Sequence, residues 1–448
     1  MSYPAATVTW TLTYGLVNVV TLAVSHWRIF RSRGEALSWS CTIVDRSGDL
    51  AEDGAIGQYL EPFERAANVF QSWLQCVITV GPDTYTSPQL VIMDVNWSFS
   101  PDSLLVELSG TDPTELLMAE SQTMPDVRLA GSNATLAAIL SNYGLSSIST
   151  AGLTNYVIPM LHRVGQPLSW VRDILEAYQG WWWWNVGTMT FENGGYDVPS
   201  MGVSFTLTDR EHLKLLRSSK SASGIYNEAT AERLTEQVSG TTSQAGVGLG
   251  EITLPLTTQL NEATLNVTIY GVGFVNNRRW KDEFNNTLNP SDLRTYRGTT
   301  KAASVVFDLN PGNLDLSDRN YLAEVVGSSV DEIEIGPYEQ DYTATYADAA
   351  DQAIRGPLPF PEPLTNPLIP TQAVALAAAT AKVRETLLGY ATAAVEVLLN
   401  PTHQPGQCAA ITAGKIGWTA RKYLVESVDW SGDGRQLLET LELSRGAA

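Results

Sequence analysis

The chain has 448 residues, 44% of them hydrophobic, a globular composition and more chain than one ordinary core accommodates, so two to four domains are expected. Acidic side chains number 48 against 28 basic ones, and the net charge of −20 excludes a chain built mainly to hold nucleic acid or an anionic membrane surface.

The first segment reads as β. "TVTWTLTY" places Val8, Trp10, Leu12 and Tyr14 on one face and four threonines on the other, the period of a half-buried strand. "ALSWSCTIVD" repeats the alternation with Leu37, Trp39, Cys41 and Ile43. "WLQCVITVG", "PQLVIMDVNWSFS" and "SLLVELSG" continue it to Gly110, with Gly, Pro, Asp and Ser between the runs. Such spacing predicts a small antiparallel barrel or sandwich over 1–113.

From residue 114 to 215 the pattern is that of a small α/β domain. "GSNATLAAILSNYGL" predicts a short helix, "NYVIPML" a strand, and "GQPLSWVRDILEAYQG" a clear helix. That helix has Pro167 in its first turn and an apolar stripe of Leu168, Val171, Ile174, Leu175 and Tyr178. "WWWWNVGTMTFENG" follows as a hairpin. From 216 the chain is β again, opening with "GIYNEATAERLTE". Residues 237–250 read as a flexible Gly/Ser/Thr-rich loop, and "EITLPLT", "ATLNVTIYGVGFV" and "AASVVFDLN" as strands. Residues 308–351 are acidic, with Arg319 their only basic residue, and Asp331, Glu332, Glu334, Glu339 and Asp341 are expected to be solvated. "GPLPFPEPLTNPLIP" (356–370) reads as an extended connector. "TQAVALAAATAKVRETLLGY" is an alanine-rich helix, and the tail reads as four or five strands with a hairpin turn at "SGDG". The fold class expected is therefore α+β, mostly β: two small antiparallel β-barrels, a small α/β domain between them, and an acidic and Pro-rich insertion at about 240–370 in the second.

Motifs for chemistry are scarce. Four histidines (His26, His162, His212, His403) lie far apart, and "HQPGQC" (403–408) offers too few ligands for a tetrahedral metal shell. There is no G-x-S-x-G, phosphate loop, G-x-G-x-x-G or H-E-x-x-H, and "GVGLG" (246–250) lacks a strand-turn-helix around it. Neither cofactor nor metal is expected, and no catalytic residue stands out. Carboxylates are too many for the sequence to single out a glycosidase pair. Cys41, Cys76 and Cys408 are odd in number; the first two sit in alternating apolar runs and read as core thiols suited to a reducing compartment. "MSYPAATVTW" carries no leader pattern, and no apolar run is long enough to span a membrane.

Trp181, Trp182, Trp183 and Trp184 are the candidate packing and interface residues. Consecutive side chains of a strand leave on opposite faces. One pair is expected to pack on the Leu168–Tyr178 stripe, and the other to be covered by a neighbouring domain or subunit, since two bare tryptophans would make an apolar patch. A sugar-stacking platform or a membrane belt are the other readings.

The order barrel, small α/β domain, second barrel resembles the baseplate hub, or tail-tip hub, proteins of phage tails and contractile injection machines. The resembling residues are "TLAAILSNYGL" with "VGQPLSWVRDILEAYQGWWWWNVGTMTFENG" in the small domain. In the second barrel they are "SGIYNEATAERL", "LNPTHQPGQCAAI" and "KYLVESVDWSGDGRQLLETLEL". They cover roughly residues 1–235 and 371–448; residues 240–370 match nothing in the family. The resemblance implies a non-enzymatic homotrimer whose paired barrels adapt a six-fold tail tube to a three-fold spike or tip. It would contact the tail tube or a tube-initiator ring, the central spike and other baseplate proteins. Genomic DNA would only pass through its channel, whose acidic wall would repel it. Its place would be the virion tail baseplate, assembled in the bacterial host cytoplasm. The alternative function is a tail-associated carbohydrate-active protein, a glycan-binding module or glycosidase.

Overall fold

The computed structural model describes residues 6–446 except 16, 64, 67–68, 115–121, 124–126, 129–130, 143–144, 146, 157–159, 162–163, 186, 210–211, 234–239, 244–250, 256–266, 274–295, 298–303, 309–327, 336–341, 367, 370 and 434–435. The α+β, mostly β class holds. Strands form where apolar residues alternate. In Ala6–Tyr14, Trp10 and Leu12 are buried while Thr7 and Thr9 face out, and Ser38–Asp45 buries Trp39, Cys41 and Ile43.

The two expected barrels are not separately closed. One continuous 14-stranded sheet takes strands from both ends of the chain. Along its main path lie Leu215–Lys220, Ala391–Leu398, Leu437–Arg445, Trp418–Gly432, Val24–Ser32, Ser38–Asp45, Ser103–Thr111, Leu90–Ser100, Ser72–Val80, Ala6–Tyr14 and Val17–Leu22. The 15-residue strand Trp418–Gly432 makes the join. Its first half pairs with Cys408–Ala413 and its second half, Ser427–Gly432, with Trp27–Ser32. Each half thus satisfies its open edge against the other, which removes the need for closure within each half. The pairing of Phe205–Thr208 with Ala409–Thr412 is parallel, a departure from an all-antiparallel barrel. Val24–Ser32, which connects the halves, carries weak alternation and lay outside the strands expected from sequence.

The small domain has its two helices, Ser132–Asn142 and Pro167–Tyr178, and the hairpin Gly180–Asn185 with Thr188–Asn193. The hairpin takes a third, parallel strand from Ile148–Gly152. "NYVIPML" falls partly on residues 157–159, outside the described residues; Met160–Leu161 is a short strand. In the segment expected to be a loop, Gly240–Ser243 is a strand paired with Glu332–Ile335. Asp331, Glu332 and Glu334 belong to the strand Ser328–Ile335, whereas Glu339, Asp341 and "GVGLG" lie outside the described residues. Within the proline connector, Leu364–Thr365 is a parallel partner to Ala231–Glu232, and the described residues around it include bends and a turn. The alanine-rich helix Gln372–Leu388 starts at Thr371, whose Oγ1 accepts from the Val374 N–H at 3.3 Å, a side-chain N-cap. No helix among the described residues is long and apolar enough to cross a membrane.

Candidate functional site

The tryptophan strand, Gly180–Asn185, stands where the three parts of the chain meet. The helix before it ends at Gln179, which takes the left-handed conformation (φ 55°) and returns its N–H to Leu175 and Glu176 carbonyls. The strand must then leave at close range. A Cβ on Gly180 would lie 2.6 Å from Leu175 Cδ2 and 2.7 Å from Leu153 Cδ1, so any larger residue here would have to displace these two side-chain ends. In register, Trp181 faces Glu192, Trp182 Phe191, Trp183 Thr190 and Trp184 Met189.

All four tryptophans are buried, none more than 7% exposed. Trp182 and Trp184 belong to the main apolar core together with Leu168, Val171, Ile174 and Leu175 of the preceding helix. Trp184 Nε1 donates to Thr114 Oγ1 at 3.2 Å. Thr114 N–H in turn donates to Asp112 Oδ1 at 2.6 Å, and the Leu37 N–H donates to Asp112 Oδ2. Asp112 is fully buried, and burial pushes its carboxyl up to about 6 against the pull of these donors.

Trp181 and Trp183 leave on the other face. Their rings stack at 4.6 Å with 25° between planes, and Tyr196 meets Trp181 edge-on at 5.9 Å. Cover comes from the same chain. Gly406, at φ +83°, lies so close that a Cβ there would sit 2.5 Å from Trp181 Cη2. Gln404 Nε2 donates to Asn185 Oδ1 at 2.6 Å, which fastens the turn around Gly406 to the end of the strand.

Arg33 binds the three parts together. It follows the strand Val24–Ser32 of the first β segment, and its guanidinium lies 5.3 Å from the Trp181 ring and 5.7 Å from Tyr196. It donates to both carboxylate oxygens of Glu385 on the alanine-rich helix and lies 3.1 Å from Glu426 Oε2 through Nε. Burial opposes the charge, but Glu385 and Glu426 outweigh it, so the guanidinium pKa is raised. Burial pushes the Glu426 carboxyl up, with Arg33 pulling the other way. Main-chain bonds reinforce the node: Arg33 N–H to Glu426 O at 3.1 Å, and Gly34 N–H to Trp182 O at 2.8 Å.

A second node lies along the join of the sheet. Arg31 is 1% exposed; its guanidinium sits 3.9 Å over Trp430 and 4.8 Å over Tyr85, and Nη2 donates to His403 O at 2.7 Å. Burial, its largest influence, pulls the Arg31 pKa down. Glu439, with no exposure, holds His403 Nδ1 at 2.8 Å and accepts from Trp430 Nε1 at 3.0 Å. His403 is thus engaged with Glu439 rather than with Cys408, and the described residues hold no cluster of three or more metal-ligating side chains. Cys41, Cys76 and Cys408 are buried free thiols.

The site is a junction of apolar rings and enclosed charges. Arg33, Glu385 and Glu426 carried no sequence signal, because Arg33 and Glu385 are 352 positions apart.

No protein-family model matches the chain, and no curated protein matches it. Solved structures do. A tail protein from Neisseria meningitidis MC58 is 11% identical, with a TM-score of 0.53 over 98% of this chain and 96% of its own. The 43 kDa tail protein of prophage MuSo2 from Shewanella oneidensis is 10% identical, with a TM-score of 0.54 over 98% of each chain. The chain thus shares its overall fold with these tail proteins.

Proposed function

We propose that the chain is a structural hub protein of a phage tail baseplate, a homotrimer that lines the DNA channel and adapts a six-fold tail tube to a three-fold spike or tip. The likeness to the two tail proteins along nearly the whole length of both partners carries this reading. It covers 98% of this chain in each case. Contacts with a tube or tube-initiator ring, a spike or tip and other baseplate proteins follow from that role, as does a place in the virion tail after assembly in the host cytoplasm. The net charge of −20 suits a wall along which DNA slides without sticking.

The role asks for rigidity rather than catalysis, and the enclosed charges of the junction supply it. The tryptophans give no support to a carbohydrate platform, since all four are enclosed by the protein itself. The test is the mass of the purified assembly and its place in the particle. Three copies in a ring between tube and tip are expected; a monomer, a six-copy ring, or release of sugar from peptidoglycan would sink the proposal.

A further inference from the structure

The strand Trp418–Gly432 is longer than its neighbour. Its pairing with Leu437–Arg445 begins at Leu424 opposite Ser444, so the residues from Trp418 to Tyr423 pair on one side only, with Cys408–Ala413. Among the described residues nothing pairs with their second edge. An open strand edge is a template for another strand. This one borders a cleft of about 580 Å³ whose lining includes Pro199, Trp418, Arg421, Lys422 and Arg445 and no carboxylate, in a chain with a large acidic excess.

The cations are arranged, not scattered. Lys422 Nζ is tied to the Pro199 and Met201 carbonyls at 2.9 and 2.6 Å. The Arg421 guanidinium stands 5.1 Å from the Trp418 ring, which packs on Tyr423 at 5.3 Å. Burial and then the charge of Arg421 pull the Arg445 pKa down, with Tyr423 acting the other way. Ala420 is held at φ 46° with its N–H on Thr412 Oγ1 at 3.0 Å, a bulge that bends the strand beside the cleft.

We propose that this edge takes up an extended acidic peptide segment of a partner protein as an added β-strand. Its main chain would pair with Trp418–Tyr423, alternate carboxylates would meet Arg421 and Arg445, and an apolar side chain would lie over Trp418. A phosphodiester strand fits less well: it offers acceptors alone to an edge that presents both donors and acceptors, and the net charge of −20 repels it. The inference does not depend on the hub reading.

The test uses the full chain and a short fluorescent peptide that alternates glutamate and valine, with anisotropy as readout at low salt. Binding is expected to weaken about tenfold on joint Arg421→Glu and Arg445→Glu substitution. It should vanish for the same peptide N-methylated at alternate residues, an arm that leaves the protein untouched, and be absent for a lysine–valine peptide. No binding of the acidic peptide, binding indifferent to N-methylation, or tighter binding of a single-stranded oligonucleotide would each overturn the proposal.

Discussion

Arg33 faces two carboxylates from distant parts of the chain, and that geometry sets what its loss does. Arg33→Met would leave Glu385 and Glu426 close together and half enclosed with no cation between them. The expected cost is about 3 kcal/mol, read as a lower urea midpoint, and Glu385→Gln with Glu426→Gln in the same chain should restore most of it. Asp112 gives a pH-dependent counterpart. Burial holds its folded-state pKa at about 6, above the ordinary aspartate value of about 4, so its contribution to stability is fully present below pH about 4 and is lost as pH rises through about 6. Asp112→Asn should flatten the profile of unfolding midpoint against pH in that window, removing a slope worth up to about 3 kcal/mol. An unchanged slope would place the titration elsewhere. Neither residue was legible beforehand, because burial by distant segments leaves no local pattern.

The tryptophan strand shows what local pattern does convey. That alternate rings leave on opposite faces follows from strand geometry alone; which pair meets the helix does not, since a one-residue shift exchanges the faces. Trp182→Ala with Trp184→Ala removes rings from the main core, where each loss costs about 3–5 kcal/mol, and should unfold the small domain. Trp181→Ala with Trp183→Ala should leave that domain folded and free the turn around Gly406, seen as new protease cleavage there. Gly406→Ala should mimic the second effect, since it adds a Cβ against Trp181 at a φ of +83°. The helices Ser132–Asn142, Pro167–Tyr178 and Gln372–Leu388 and many strands were visible because stripes, propensity and alternation are short-range; the helix Ala349–Arg355 and the strands Val17–Leu22, Val24–Ser32, Ile148–Gly152 and Leu215–Lys220 were among those missed, because their apolar residues are few or irregularly spaced.

For the molecule as a whole, the sequence revealed two β-rich ends in the right order and hid their fusion, since paired residues such as Arg28 and Asp429 stand 401 positions apart. The fusion implies that the two ends melt together. One shared transition is expected from probes in each half, and a fragment of residues 1–113 alone should self-associate through its open Val24–Ser32 edge; two separate transitions and a soluble monomeric fragment would contradict this. The same join bears on synthesis. At about 5–20 residues per second, the ribosome needs roughly 20–80 seconds after making Val24–Ser32 before Ser427–Gly432 exists to cover it. Throughout that interval a nascent edge containing Trp27 and Ile29 lacks its native neighbour, so growth temperature and chaperone supply during synthesis, rather than the finished fold, should govern how much of this protein folds instead of aggregating.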